Sequence, residues 1–173
     1  MRIREATSAD FEEIARLTVA AYRALDTWVG DDYAVHLADV ATRAGAENTT
    51  VLVAEDDTDG AGGPGGRILG SVTLTLGGGP YFEWNHGVDG DCGFRMLAVD
   101  PAAQGRGAGP RLVAECLDRA RAAGCRRMII GSTEWMTTAH RIYERIGFRR
   151  APELDQQWGD IRGLCFVLEL DGA

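Results

Sequence analysis

The feature that most constrains the fold of this chain is a glycine-rich run near its centre, Gln104-Gly105-Arg106-Gly107-Ala108-Gly109. The run lies between a strand-like apolar segment at residues 94–99 and an amphipathic helical pattern at residues 111–123. Glycines at such a junction leave backbone N–H groups uncovered, and a helix N-terminus adds partial positive charge behind them. The run therefore predicts a strand–turn–helix unit that binds an anion, with a phosphate or pyrophosphate as the expected ligand.

Three phosphate-binding patterns can be compared with this run. A Walker A loop requires Lys followed by Ser or Thr, whereas Pro110 and Arg111 follow here. A dinucleotide-binding fingerprint requires G-x-G-x-x-G in the first strand–helix unit, whereas Gly105, Gly107 and Gly109 give G-x-G-x-G past the middle of the chain. The third pattern is [QR]-x-x-G-x-[GA] after a strand that ends in Val-Asp-Pro, and Gln104, Gly107 and Gly109 fit it. A tight turn without a ligand is the purely structural alternative, because glycine adopts turn conformations at no steric cost.

Length and charge limit the class of protein. The 173 residues suffice for one domain with a substantial core, so residues 1–173 are expected to form a single domain. The net charge of -8 argues against nucleic acid as a partner and favours a cationic acceptor such as an amine. No signal-peptide pattern and no apolar stretch of membrane-spanning length are visible, which predicts a cytoplasmic protein without a membrane partner.

The cysteines do not indicate a metal site. Cys92, Cys116, Cys125 and Cys165 include no C-x-x-C pair, and no histidine lies at a spacing typical of zinc ligands. Free cysteine packs like a small apolar side chain, so burial as reduced thiols is expected.

The periodicity of apolar residues predicts an α/β fold. Two strand–helix–strand units in the second half favour a mixed, partly parallel sheet with helices on its faces. The glycine-rich residues 56–66 predict a mobile hairpin loop, and residues 77–90 form a longer irregular stretch. Strands are predicted at residues 2–6, 50–55, 68–76, 91–99, 126–130, 148–151 and 164–170, and helices over residues 14–22, 31–44, 110–123 and 137–146.

Two segments resemble the GCN5-related N-acetyltransferase (GNAT) superfamily. They are Met96-Leu97-Ala98-Val99-Asp100-Pro101 with the glycine run, and Ala139-His140-Arg141-Ile142-Tyr143-Glu144-Arg145-Ile146-Gly147-Phe148. The resemblance implies a GNAT fold, with a mixed central sheet of six to seven strands that splays at its middle and about four flanking helices. It also implies a single acyl-CoA N-acyltransferase domain.

The resemblance implies acetyl-CoA, or another short acyl-CoA, as co-substrate and no metal. Its pyrophosphate would bind backbone N–H groups of the glycine run, and its pantetheine arm would pair with the strand that ends at residue 99. The residues implied to bind it are Leu97, Ala98, Val99, Gln104, Gly105, Arg106, Gly107, Ala108, Gly109 and Tyr143.

The implied reaction is direct attack of a primary amine on the thioester in a ternary complex. Tyr143 matches the tyrosine that protonates the departing sulfur in many relatives. Many relatives carry a glutamate as general base where this chain has Gly93, and often an asparagine where it has Met136. Asp91 and Glu83 are therefore the leading candidates for the base, and a base acting through water or capture of the neutral amine also fits. Two further candidates are His86 and Glu134.

The acceptor is the open part of this interpretation. Tyr81, Phe82 and Trp84 are expected at the acceptor side, either as a pocket or lid or as part of the core edge, and Trp28 and Tyr33 are further candidates for the same pocket. The acceptor is a small-molecule amine or a peptide amine, and a homodimer fits the resemblance. A catalytically silent acyl-CoA-binding module and an unrelated nucleotide-binding protein are the two alternatives.

Overall fold

The computed structural model describes residues 1–25, 29–56, 66–82 and 90–170. Its helices are α1 (Phe11–Leu25), α2 (Asp31–Ala38), α3 (Val40–Ala44), α4 (Ala108–Ala122) and α5 (Thr137–Ile146). Its strands are β1 (Arg2–Glu5), β2 (Thr49–Glu55), β3 (Ile68–Leu76), β4 (Asp91–Val99), β5 (Arg127–Thr133), β6 (Arg149–Arg150), β7 (Gln156–Trp158) and β8 (Ile161–Glu169).

One sheet connects all the strands in the described ranges. Its order is β1-β2-β3-β4-β5-β8-β6, and β7 pairs with β8. The β4–β5 pair is parallel, whereas the other pairs are antiparallel. The predicted mixed α/β architecture is confirmed, with eight strands rather than six to seven because the short β7, which was not predicted, pairs with β8.

The last strand changes the topology that the local pattern suggested. The predicted strand–helix–strand unit β5–α5–β6 exists, but its two strands are not neighbours, because β8 lies between them and is antiparallel to both. Parallel pairing is therefore confined to β4 and β5.

Two apolar layers cover the two faces of the sheet. On one face, α4 packs Leu112, Val113 and Cys116 against β2, β3 and the first half of β4. On the other face, α1, α2 and α3 pack against β2, β3 and the second half of β4, with Ile14 and Leu37 fully buried. The four cysteines are free and buried, as the sequence indicated. No helix in the described ranges is both long enough and apolar enough to cross a membrane.

The predicted second helix is interrupted. Residues 31–44 form α2 and α3 with a break at Asp39, whose ψ of 70° is incompatible with a continuous helix. The Asp39 carboxylate accepts a hydrogen bond from the Thr42 N–H at 3.2 Å and so caps α3. Most of the predicted hairpin loop, residues 57–65, lies outside the described residues.

Buried charges fix the N-terminal strand. Arg4 donates to Asp10 at 2.7 and 2.9 Å and to Glu55 at 3.0 Å, while Arg2 donates to Glu55 at 2.6 Å. The Thr7 N–H also donates to the Asp10 carboxylate at 2.7 Å, which forms a capping box before α1. Mainly because of the hydrogen bonds from Arg4, the pKa of Asp10 and the pKa of Glu55 each fall to about 2.

These pKa values predict a defined loss of stability in acid. Both carboxyls have a lower pKa when folded, so the unfolded chain binds more protons once the pH falls below about 4.5. The free energy of unfolding should therefore decrease from about pH 4.5 to pH 2, measured by urea titration. Arg4→Met should cost roughly 3 kcal/mol at pH 7, because it removes the main partner of two buried carboxylates. It leaves Glu55 with Arg2 and Asp10 with Thr7. The exposed pair of Arg23 and Asp31 offers a control, since Arg23→Met should cost less than about 1 kcal/mol. Equal stability of the two variants would contradict this role of Arg4.

Candidate active site

The site begins where β4 and β5 separate. The two strands pair only through Asp91 with Arg127 and Cys92 with Met128, and beyond these pairs they diverge. A cavity of about 370 Å³ lies in the gap, lined by residues of β4 and β5 and by the start of α5. Backbone N–H and C=O groups on the inner edges of both strands have lost the neighbour that a continuous sheet would supply.

A bulge in β4 shapes one wall of the cavity. Met96 has a φ of 51°, a left-handed conformation that non-glycine residues seldom adopt, and the β3–β4 register shifts opposite it. The bulge reverses the alternation of the strand, because Phe94 packs on the α4 face while Met96 and Ala98 pack on the α1–α3 face. Leu97 and Val99 consequently line the cavity.

The glycine turn, residues 104–109, reaches the cavity at Gly109. Asp100 fixes the strand end by accepting from the Ala102 N–H at 2.9 Å and from Arg67 at 3.0 Å. Gly105 and Gly107 have φ values of 80° and 81°, with open space where a side chain would begin, so the backbone conformation and not crowding selects glycine there. Gly107 then caps α4, whose first N–H groups have no acceptor within the helix.

Tyr143 occupies the wall on the α5 side. It lines the cavity, is 5% exposed, and packs its ring against Phe94, Phe148 and Phe166 with centroid distances of 5.8 to 5.9 Å. Burial raises the pKa of the Tyr143 phenol well above its ordinary value. The phenol is therefore a neutral hydrogen-bond donor throughout the physiological pH range.

A second polar pair lies on the same side and was not predicted. Ser132 lines the cavity, and its hydroxyl is 3.0 Å from His140 Nε2. The imidazole also hydrogen-bonds to the backbone of Thr133, and burial lowers the pKa of His140, so the ring is mainly neutral near pH 7. The sequence did carry a signal for His140, because this residue precedes Tyr143 by three positions and so lies on the same side of α5.

The position where many relatives carry a glutamate is closed in this chain. A Cβ built on Gly93 would be 2.5 Å from the Ile129 carbonyl oxygen and 3.0 Å from the Phe82 ring. Phe82 is 7% exposed and packs in a small cluster with Ile129 and Cys165. Of the two predicted roles for Phe82, the structure therefore favours the core edge.

Asp91 lies at the closed end of the gap. Its carboxylate is buried and accepts hydrogen bonds from Arg127 Nε at 3.0 Å and Nη2 at 2.7 Å. This ion pair connects the first residues of β4 and β5, and the structure does not bring Asp91 to the cavity. Glu134 is exposed in the turn after β5 and does not line the cavity either.

Tyr22, Tyr33, Arg95 and Thr133 also line the cavity. This part is here called the acceptor end, because Tyr33 is expected from the sequence to lie at the acceptor side. The Tyr22 and Tyr33 rings are 6.3 Å apart, and the array continues through His36 to Tyr81, which stack at 6.2 Å.

The Arg95 guanidinium lies 6.0 Å from the centre of the Tyr81 ring. Burial, followed by the charges of Arg95 and Arg43, lowers the pKa of His36. Arg95 was not singled out from the sequence, although a charged residue within the apolar strand Asp91–Val99 was a visible signal.

The predicted binding residues divide by position. Of those implied to bind acyl-CoA, Leu97, Val99, Gly109 and Tyr143 line the cavity. Ala98 packs into the core on the α1–α3 face, and Arg106 forms an ion pair with Asp56 at 2.6 Å. The rest of that set belongs to the glycine turn: Gln104, Gly105, Gly107 and Ala108. The predicted residues Trp28, Glu83, Trp84 and His86 lie outside the described residues.

Comparison with known proteins identifies the family of this arrangement. The model of the acetyltransferase (GNAT) family matches residues 11–148. A glucosamine 6-phosphate N-acetyltransferase of Trypanosoma brucei brucei is 33% identical over 86 residues, which cover 50% of this chain and 54% of that protein. The chain thus spans about half the length of the curated relative that it matches.

Solved structures agree in fold over nearly the whole chain. The yncA protein of Salmonella typhimurium, solved with acetyl-CoA as its cofactor, aligns with a TM-score of 0.66 at 23% identity and covers 99% of this chain and 95% of its own. An acetyltransferase of the GNAT family from Staphylococcus aureus Mu50 aligns with a TM-score of 0.73 at 12% identity, covering 98% and 99%. The sheet that opens between β4 and β5, the glycine turn and the family match lead to one conclusion: the chain belongs to the GNAT acetyltransferase family.

Proposed function

We propose that this protein transfers an acetyl or other short acyl group from acyl-CoA to a primary amine by direct attack in a ternary complex. The observation that carries this proposal is the cavity between β4 and β5, which the glycine turn reaches at Gly109 and which has an aromatic pocket and Tyr143 in its wall. A thiol-release assay with acetyl-CoA and a panel of amines tests it directly.

The residues of the cavity fit an acyl-CoA. Backbone N–H groups of Gly107, Ala108 and Gly109 at the start of α4 suit a pyrophosphate, because helix N-termini attract anions. The inner edge of β4 beyond Cys92 lacks a strand neighbour, which suits an extended amide chain such as pantetheine. A side chain at residue 109 would contact Val99 and Ile142 at 3.6 to 3.8 Å, so glycine keeps the path along the helix start open.

The chain's own groups supply donors for the reaction. Acyl-CoA supplies an activated thioester carbon; the amine nitrogen bonds to that carbon while the carbon–sulfur bond breaks. Tyr143 holds its proton because of burial and donates a hydrogen bond or that proton to the departing sulfur. A backbone N–H of the bulge near Leu97 to Val99 is the proposed donor to the carbonyl oxygen.

The proton of the attacking ammonium has no carboxylate to receive it within the described cavity. The lining there includes neither Asp nor Glu, and the position at Gly93 is filled by Phe82. We therefore propose that the amine enters in its neutral form or loses its proton through water. The same observation favours the second candidate, a silent acyl-CoA-binding module, which would bind acetyl-CoA in calorimetry yet release no thiol with any amine.

Replacement of Tyr143 tests the proposed acid. Tyr143→Phe should lower kcat by about 10²–10⁴-fold, because it removes the hydroxyl and keeps the ring that Phe94 and Phe148 pack against. Since burial raises the pKa of Tyr143, the parent should show no alkaline loss of kcat from this group below about pH 10. An unchanged rate in a variant with parental melting temperature would remove Tyr143 from the mechanism.

A matched pair of glycines tests the anion site. Gly107→Ala and Gly124→Ala each force alanine into a left-handed conformation in open space, at φ values of 81° and 74°. Each should lower stability by about 1–2 kcal/mol. We expect only Gly107→Ala to weaken acetyl-CoA binding in calorimetry, because Gly124 follows the far end of α4. An equal loss of affinity in both would assign the effect to stability alone.

Gly93 provides a test of the closed position. Gly93→Ala should destabilise the protein by about 1–3 kcal/mol, because its Cβ would clash with the Ile129 carbonyl and the Phe82 ring. Gly45→Ala is the control: its φ is -90° and its Cβ would make an ordinary contact at 3.5 Å, so urea titration should show little change. A stable Gly93→Ala variant would show that residue 93 has room for a side chain.

A further inference from the structure

We propose that the amine acceptor carries an anionic group, a carboxylate or a phosphate, and that Arg95 binds this group at the acceptor end with Thr133 beside it. This inference rests on the proposed function and names the class of substrate for the same cavity. It differs from the cationic acceptor that the net charge of -8 favours, because the charge of a cavity and the charge of the surface are set by different residues.

The charged side chain in the described lining of the cavity is that of Arg95. Arg95 contributes to its lining from the middle of β4, and no Asp or Glu belongs to the lining within the described residues. The remaining lining is mostly apolar or aromatic, and a charge in such surroundings acts on a ligand through a lower effective dielectric than water provides. A guanidinium in that position binds carboxylates and phosphates through two parallel hydrogen bonds.

A second arginine reinforces the positive potential. Arg43 is 1% exposed, and its Nη1 donates to the neutral Leu37 carbonyl at 2.7 Å. Its Nε has no hydrogen-bond partner among the described residues. Arg43 lies close enough to Tyr22, Tyr81 and Arg95 to interact with them electrostatically, and burial lowers its pKa. A buried cation that donates to a neutral carbonyl keeps a positive field that favours an anion nearby.

Thr133 adds an unused hydroxyl. It lines the cavity, is 4% exposed, and its Oγ1 has no hydrogen-bond partner among the described residues. Along β5, Thr133 alternates with Ser132, so the two side chains are on opposite faces and Thr133 shares the face of Ile129. The Cys92–Met128 pairing puts Arg95 on that same face of the sheet. Buried hydroxyls are normally paired, so the orphaned Oγ1 is available to a polar ligand atom in the same cavity as Arg95.

Matched pairs of amines test the proposal and separate the two anions. Thiol release from acetyl-CoA is measured with phenylalanine against phenethylamine, and with glucosamine 6-phosphate against glucosamine. In at least one pair, kcat/KM for the anionic member should exceed that for its neutral partner by about 10-fold or more. The pair that discriminates identifies carboxylate or phosphate as the group that is bound.

Variants assign the preference to Arg95. Arg95→Met should reduce the preference for the anionic member by about 10–100-fold, whereas Arg95→Lys should retain part of it. Thr133→Val should reduce it several-fold, by roughly the value of one hydrogen bond. Arg121→Met is the control, because Arg121 pairs with Asp118 on the exposed side of α4, and its kinetics should match the parent.

Binding distinguishes failure of this inference from failure of the proposed function. With CoA present, calorimetry compares N-acetylphenylalanine with its amide, and N-acetylglucosamine 6-phosphate with N-acetylglucosamine. Tighter binding of an anionic member that is lost in Arg95→Met supports the inference even if no amine is acetylated. Acetylation of neutral amines as fast as anionic ones, or equal binding within both pairs, would overturn it and leave the acetyltransferase proposal intact. If Arg95→Met fails to fold, the preference of the parent protein for the anionic over the neutral member of each pair decides.

Discussion

The separation of β4 from β5 is the constraint on which the rest of this structure depends. Two parallel strands that stop pairing after two residues leave backbone donors and acceptors that must be satisfied by a ligand or by water. The ion pair of Asp91 and Arg127 holds the closed end of the gap, and the bulge at Met96 turns the outer part of β4 away. An enclosed space between helix layers follows from this opening, and both ligands of the proposed reaction would meet there.

Two parts of the proposed site have different sources of positive charge. At the glycine turn, the potential comes from backbone N–H groups and the dipole of α4, so the side chains there are free to serve the fold, as Arg106 does with Asp56. At the acceptor end, it comes from the side chains of Arg95 and Arg43. With this division, one scaffold can keep its proposed acyl-CoA site while substitutions at a few strand and helix positions change which amine it binds.

The sequence predicted the elements better than their connections. The strand over residues 91–99 was placed correctly, because Gly90 and Pro101 mark its two ends. The break at Asp39 was missed, since the helical periodicity continues across it and only the local Asp39-to-Thr42 cap interrupts the backbone.

In the site, the glycine turn could be read from spacing, because a left-handed backbone conformation dictates the residue type, whereas Tyr143 was singled out through the resemblance to the GNAT superfamily. The left-handed Met96 and the closing of residue 93 by Phe82 could not be read from spacing, because they arise from the fit of strands that are distant in the chain.

The insertion of β8 between β5 and β6 has a consequence for how the chain reaches this state. The strands β1 to β4 pair with one another, so all of them have been synthesised once residue 99 is added. In contrast, β5 and β6 both pair with β8, which comes from residues 161–169. During synthesis, pairing in the second half of the sheet must therefore wait, with backbone groups of β5 unpaired, until residues 161–169 emerge. The gap between β4 and β5 is bounded on one side by the part of the sheet that is completed last.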